Sequence, residues 1–136
     1  MTAPAPPSSP AHPARLILIL SLSGAIGLGV GRFAYSLVLP DMRDSLHWSY
    51  SAAGFMNTIN AGGYLAGALV AARLSSRFGL TAVVRAGTVA CVVSLLLCGL
   101  SANFAVLSAA RLVTGFGAAL GFVAGGALAA TLAQAR

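Results

Sequence analysis

The stretch Leu80–Leu100 reads LTAVVRAGTVACVVSLLLCGL. Its one charged residue, Arg85, lies near its start. A helix needs about 20 apolar residues to cross a bilayer, and this stretch supplies them. Its interior, Val89–Leu97 (VACVVSLLL), does not alternate apolar and polar residues as a barrel strand does. The stretch therefore predicts a membrane-spanning α-helix.

Working outward, three similar stretches flank it. They run from about Leu16 to Leu39, Ser51 to Ala72, and Phe104 to Ala130. Hydrophobic residues make up 58% of the chain and charged residues only 7%, where a soluble domain carries about 25% charged residues. Too little polar surface exists to wrap a globule. The expected fold class is an all-α membrane protein with four transmembrane helices. Pro40 is expected to end the first span, with Asp41, Arg43, Asp44, His47 and Trp48 as a polar loop. Trp at a span boundary suits the headgroup layer. Arg73–Gly79 is expected to break span two from span three, and Ser101–Asn103 to form a tight third connection. Residues 1–14, MTAPAPPSSPAHPA, hold five prolines and no large apolar residue. They are expected to form a disordered cytoplasmic tail. A secretory signal fits poorly, because no Arg precedes Arg15 and the apolar run that follows is too long.

Arginine placement sets the orientation, since the chain has no Lys. With the N-terminus in the cytoplasm, Arg15, Arg73, Arg77, Arg85 and Arg136 lie at cytoplasmic ends and only Arg43 lies outside. That is the positive-inside pattern. It implies a multi-pass protein of the inner (plasma) membrane with both termini cytoplasmic. The net charge of +6 is then mostly a topology signal. Scattered Arg without interleaved aromatics argues against nucleic acid. Cys91 and Cys98 lie about 10 Å apart on one helix face, too far for a disulfide. No metal-ligand cluster and no cofactor are expected. No nucleophile–base pair or paired carboxylates are present, so an enzyme is not expected.

Glycines recur four apart at Gly27 and Gly31, at Gly63 and Gly67, and at Gly117, Gly121 and Gly125, with Gly115 close by. Small residues one turn apart let helix backbones approach in lipid. Among polar residues, Arg32, with Tyr35 and Ser36 after it, lies in span one. Asn57, Asn60 and Tyr64 fall on one face of span two, and Arg111 and Thr114 lie in span four. An Arg inside a span costs about 2.5–3.5 kcal/mol on insertion scales and usually faces a bundle interior or a wet cavity. Both Arg lie roughly 6–8 Å from their span midpoints, toward the outer leaflet. Arg32, Tyr35, Asn57, Asn60, Tyr64 and Arg111 are thus candidates for one substrate cavity between spans one, two and four. Span three is expected to be lipid-facing or purely structural.

The residues now carry a family resemblance. Ala72-Arg-Leu-Ser-Ser-Arg77-Phe-Gly79-Leu80 resembles the cytoplasmic loop G-x-x-x-D-R-x-G-[RK] of the major facilitator superfamily. Arg77 and Gly79 match; Ala72, Ser76 and Leu80 depart from the pattern; Arg73 adds a second cation. Arg111-Leu-Val-Thr-Gly115-Phe-Gly117 is similar to the superfamily's fourth-span R-x-x-x-G-x-G. Gly31-Arg-Phe-Ala-Tyr35, with Leu39-Pro40 after it, most resembles the YbfB/YjiJ-like subgroup. The resemblance covers about residues 15–136. It implies the N-terminal four helices of a twelve-helix transporter, built from inverted repeats with substrate near the midplane. The function it implies is a fragment of a secondary-active carrier of a small solute, with an anionic solute as one expectation, working by alternating access. Its partners would be the lipid bilayer, that solute and the remaining transporter helices. The alternative is a truncated small membrane protein with a structural or regulatory role and no transport of its own. A four-helix dimeric drug exporter would need an intramembrane acid in span one, and here the only acids are Asp41 and Asp44.

Overall fold

The computed structural model describes residues 11–134. Its elements in chain order are α1 (Ala11–Gly24), a π-helical segment (Ala25–Ala34), α2 (Tyr35–Ser45), α3 (Tyr50–Phe78), α4 (Leu80–Leu100) and α5 (Phe104–Gln134). No strand occurs among the described residues. The expected N-terminal tail lies largely outside them. Helix α1 already includes Ala11–Ala14, and Pro13 is tolerated there because a first-turn N–H has no intrahelical partner to lose.

Three stretches are long and apolar enough to cross a membrane: Ala14–Ser45, Leu80–Leu100 and Phe104–Gln134. Helix α3 is long enough at 29 residues. It is not among the three, because Asn57, Thr58, Asn60 and four glycines dilute its apolar content.

Two expected breaks do not occur where the sequence placed them. Pro40 sits inside α2, which continues to Ser45. Proline removes one backbone donor and crowds the carbonyl four residues back. A π-helical adjustment is one way a spanning helix re-satisfies the groups so freed, and here the π segment lies just upstream. The polar loop shrinks to Leu46–Ser49, where Ser49 caps α3 by accepting a hydrogen bond from the Ala52 N–H at 3.1 Å. Likewise, Arg73–Phe78 remain helical, because Val70 and Leu74 pack on the Ala71–Val83–Val84–Leu120–Ala124 core. Gly79 alone joins α3 to α4, at φ 87° and ψ 150°. That backbone conformation favours glycine. The third connection is Ser101–Asn103, and Asn103 Oδ1 accepts from the Ala105 and Val106 N–H groups to start α5.

Helix α5 is the centre of the bundle. Half of its most apolar window is buried (50%), against 28% for α4 and 11% for the first stretch. It packs between α3 and α4 through small residues rather than large ones. The large residues point outward: Leu37, Leu69, Val89, Leu96 and Leu100 are all exposed. Such an apolar exterior is what lipid requires, since lipid tails give no reason to bury Leu.

Candidate functional site

The close approaches between helices come first, because they fix the side chains. A Cβ on Gly63 would lie 2.2 Å from the Leu112 carbonyl oxygen, and one on Gly67 2.6 Å from that of Phe116. From the other side, a Cβ on Gly115 would lie 2.0 Å from the Asn60 carbonyl oxygen. Helices α3 and α5 thus touch backbone to backbone. Gly117 does the same toward Gly87 of α4, at 2.7 Å. Gly27 and Gly31 bring the π segment against Ala118 and Thr114 of α5, at 3.2 and 2.9 Å. Gly121 and Gly125 have ordinary contacts at 3.5 and 3.9 Å, so nothing there demands glycine.

This packing separates the six polar candidates into two groups. The first is internal. Arg111 is fully buried at 0% exposure. Its Nη1 donates to the Gly31 carbonyl, and its guanidinium carbon lies 3.7 Å over the Tyr35 ring. Asn60 Nδ2 donates to the Arg111 carbonyl at 2.9 Å. Below it, Thr114 Oγ1 donates to the Ala110 carbonyl at 2.8 Å and shares a 2.7 Å hydrogen bond with Ser94 Oγ. Around Tyr35 the wall is apolar, made by Met56, Leu107, Leu39 and Cys98.

The second group is on the surface. Arg32 is exposed, with its guanidinium carbon 5.8 Å over the Tyr64 ring. Asn57 is exposed two turns away on the same face of α3 as Tyr64. Tyr35 does not extend the Arg32 face. In the wider π-helix each residue turns by only about 80° rather than 100°, so residues three apart diverge. Ser36 stays near Arg32 and donates to its carbonyl at 3.2 Å.

Sequence reasoning gave Ser94 and Gly87 no contact partner. The signal was present: Gly87, Cys91 and Ser94 are small residues at helical spacing, and all three are buried against α5. Span three is therefore a structural member of the bundle that supplies polar contacts, including a Thr88–Ser23 hydroxyl pair. In the loop motif, Arg73 and Arg77 are exposed, Arg77 lies over Phe78, and Gly79 makes the joint. Three surface grooves of about 330–380 Å³ lie elsewhere, against lipid-facing residues such as Ile17, Phe122 and Val89. None of them is lined by the six polar candidates.

Among the described residues the sole ion pair is Arg43–Asp44, at the end of α2. The intramembrane arginines therefore have no acidic partner there. That arrangement can attract an anion or an acidic side chain. It offers no group to hold a metal.

Comparison with known proteins accounts for most of the chain. Residues 24–136 match the family described as "Uncharacterised MFS-type transporter YbfB". The chain is 34% identical over 102 residues to "Putative transporter AraJ" of Escherichia coli (strain K12), covering 75% of this chain and 26% of that protein. It is 33% identical over 92 residues to "Uncharacterized MFS-type transporter YceJ" of Bacillus subtilis (strain 168), covering 68% and 24% respectively. The chain thus spans about a quarter of the length of these relatives. No solved structure matches it. A family match over more than four-fifths of the chain, on an all-helical fold with lipid-suited surfaces, means that this protein belongs to the YbfB-type family of major facilitator transporters.

Proposed function

We propose that the chain forms four spans of a secondary-active carrier of a small solute, and that it works by alternating access together with further helices. All four spans, α3 included, cross the inner membrane, with both termini and the Arg73–Gly79 joint on the cytoplasmic side. The observation that carries this reading is the face formed by exposed Arg32 and Asn57 with half-buried Tyr64. A cation at that depth is costly against lipid. Most of the large exposed side chains are Leu, Ile, Val and Phe, so this face belongs against water, solute or another polar helix face. The Arg32 cation makes an anion the substrate class, with Tyr64 and Asn57 as neutral hydrogen-bonding partners. Asn60, Tyr35 and Arg111 shape the wall behind it.

Cysteine labelling in native membranes tests this, in a chain lacking Cys91 and Cys98. Asn57→Cys and Tyr64→Cys are expected to react with a hydrophilic thiol reagent, and Leu69→Cys and Val93→Cys to stay unreactive. Equal silence at all four would remove the wet face. With an impermeant reagent on intact cells, Ser45→Cys is expected to label and Ser75→Cys not to; the reverse would invert the topology. Proteoliposomes holding the 136-residue chain alone are expected to show no saturable uptake.

A further inference from the structure

The interior arginine is incompletely partnered. Of its donors, Nη1 is bonded to the Gly31 carbonyl, while Nε and Nη2 are buried with no partner. The Tyr35 hydroxyl, also buried, has none either. These are not arbitrary atoms. Nε and Nη2 form one edge of the guanidinium, the edge that grips a carboxylate through two parallel N–H···O bonds. The Gly31 bond uses the remaining terminal nitrogen and the Tyr35 ring covers the face at 3.7 Å. Arginine keeps its charge even when buried. A buried charge without compensation costs several kcal/mol, and no described acid lies within ion-pair reach of Arg111.

From this geometry we propose that the Nε–Nη2 edge of Arg111 is a carboxylate-binding site, with the Tyr35 hydroxyl as a third donor. The group it takes is one carboxylate. Its source is either a carboxylate-bearing solute or an acidic side chain from a helix outside the described residues. The site is shut in this structure, because Arg111 is 0% exposed. It opens when the first stretch moves off α5. That stretch is the most lightly packed of the three apolar ones, with 11% of its window buried. Across the contact, at Gly27 and Gly31, it meets α5 through small groups. The site is separate from the exposed Arg32 face, and labelling at Asn57 and Tyr64 does not report on it.

Cys98 provides the handle. It is half-buried and packs on the cluster that contains Tyr35, whereas Cys91 is fully buried. The full chain, purified in mild detergent, is compared in sodium acetate and in sodium chloride at equal ionic strength. If the source is a solute, acetate raises Tm on the order of 3 °C and slows alkylation of Cys98. Arg111→Lys, which lacks the two-pronged edge, loses both effects. Tyr35→Phe weakens them. If the source is a side chain, acetate does nothing, but Cys98→Asp supplies the missing group. It then raises Tm when residue 111 is Arg and lowers Tm in Arg111→Met and Arg111→Lys. The proposal is overturned if acetate has no effect and Cys98→Asp lowers Tm equally in all three backgrounds. It is also overturned if the acetate effect or the Asp coupling survives in Arg111→Lys, since that is plain charge attraction without the fork.

Discussion

Arg32 and Arg111 are the same residue, each inside a long apolar helical stretch, yet their surroundings are opposite. Arg111 sits at the crossing of α3, α5 and the π segment, wholly buried among backbone carbonyls, a tyrosine ring and hydroxyls. Arg32 sits on the outside of the bundle, covered only in part by Tyr64. The difference comes from the neighbours. Gly115 and Gly117 follow Arg111 on its own helix and let two other helices close over it. Arg32 is flanked by Phe33 and faces away from α5, because Gly31 takes the contact position. A cation inside an apolar helix needs company. The small residues beside it decide whether that company lies inside the bundle or beyond it.

The largest effect expected from breaking this contrast is at Gly115. Gly115→Ala forces its Cβ against the Asn60 carbonyl, a backbone atom that cannot rotate away. Helices α3 and α5 must separate, and the expected loss is about 3 kcal/mol, read as a fall in Tm of the purified chain. Gly125→Ala, with its nearest neighbour 3.9 Å from the new methyl group, serves as the matched control and is expected to leave Tm in place. A similar fall in both variants would mean that glycine matters here for reasons other than close approach.

A smaller loss is expected at Asn60. Asn60→Ala removes the amide that donates to the Arg111 carbonyl. Interhelical side-chain hydrogen bonds in membrane proteins contribute about 0.6 kcal/mol on average. The expected outcome is a shift of a few degrees at most, with the α3–α5 contact intact by cross-linking. Complete unfolding would show that the internal cluster, rather than the glycine seam, holds the helices together.

The smallest effect on stability is expected at Arg32. Arg32→Ala removes an exposed cation–π contact, worth about 0.5 kcal/mol. Tm and membrane insertion should hardly change. Under the proposed function, transport by the parent carrier is lost, and Arg32→Lys restores little of it if the solute needs a planar fork. Uptake of candidate anions, normalised to membrane protein, is the measurement. Undiminished uptake by Arg32→Ala would move the substrate face elsewhere.

Much of the fold was legible because lipid imposes a coarse and strong pattern. Leu80–Leu100 is a helix over the same residues in sequence and structure, since both its ends carry breaking signals, Gly79 and Ser101. The ends of the first and second stretches were misplaced for one shared reason. Pro40 and the Arg73–Ser76 run look like breakers in isolation. In the fold the helix runs on through Pro40 to Ser45, and Leu74 packs on a core that includes Val83 and Val84 of α4. The sequence placed the polar candidates in one group, and the structure divides them between the bundle interior and its surface. Their spacing was read as α-helical, while Ala25–Ala34 follows a wider turn. Ser94 was given no partner because a lone hydroxyl among apolar residues gives no hint of Thr114, twenty residues on.

What the sequence alone determined is the solvent, the helical class and the family. All three rest on composition, on runs of about 20 residues and on motif order, which are local properties of the chain. Only the tertiary structure decided which arginine is buried and which helix is central. It also decided which glycines are indispensable. Those depend on where backbones cross at near-contact distance, and a crossing brings together residues far apart in the chain, such as Gly63 with Leu112 or Gly31 with Arg111. Small-residue spacing marks a helix face as able to pack closely. It does not name the partner, because lipid tails solvate every apolar face alike and leave the choice to shape.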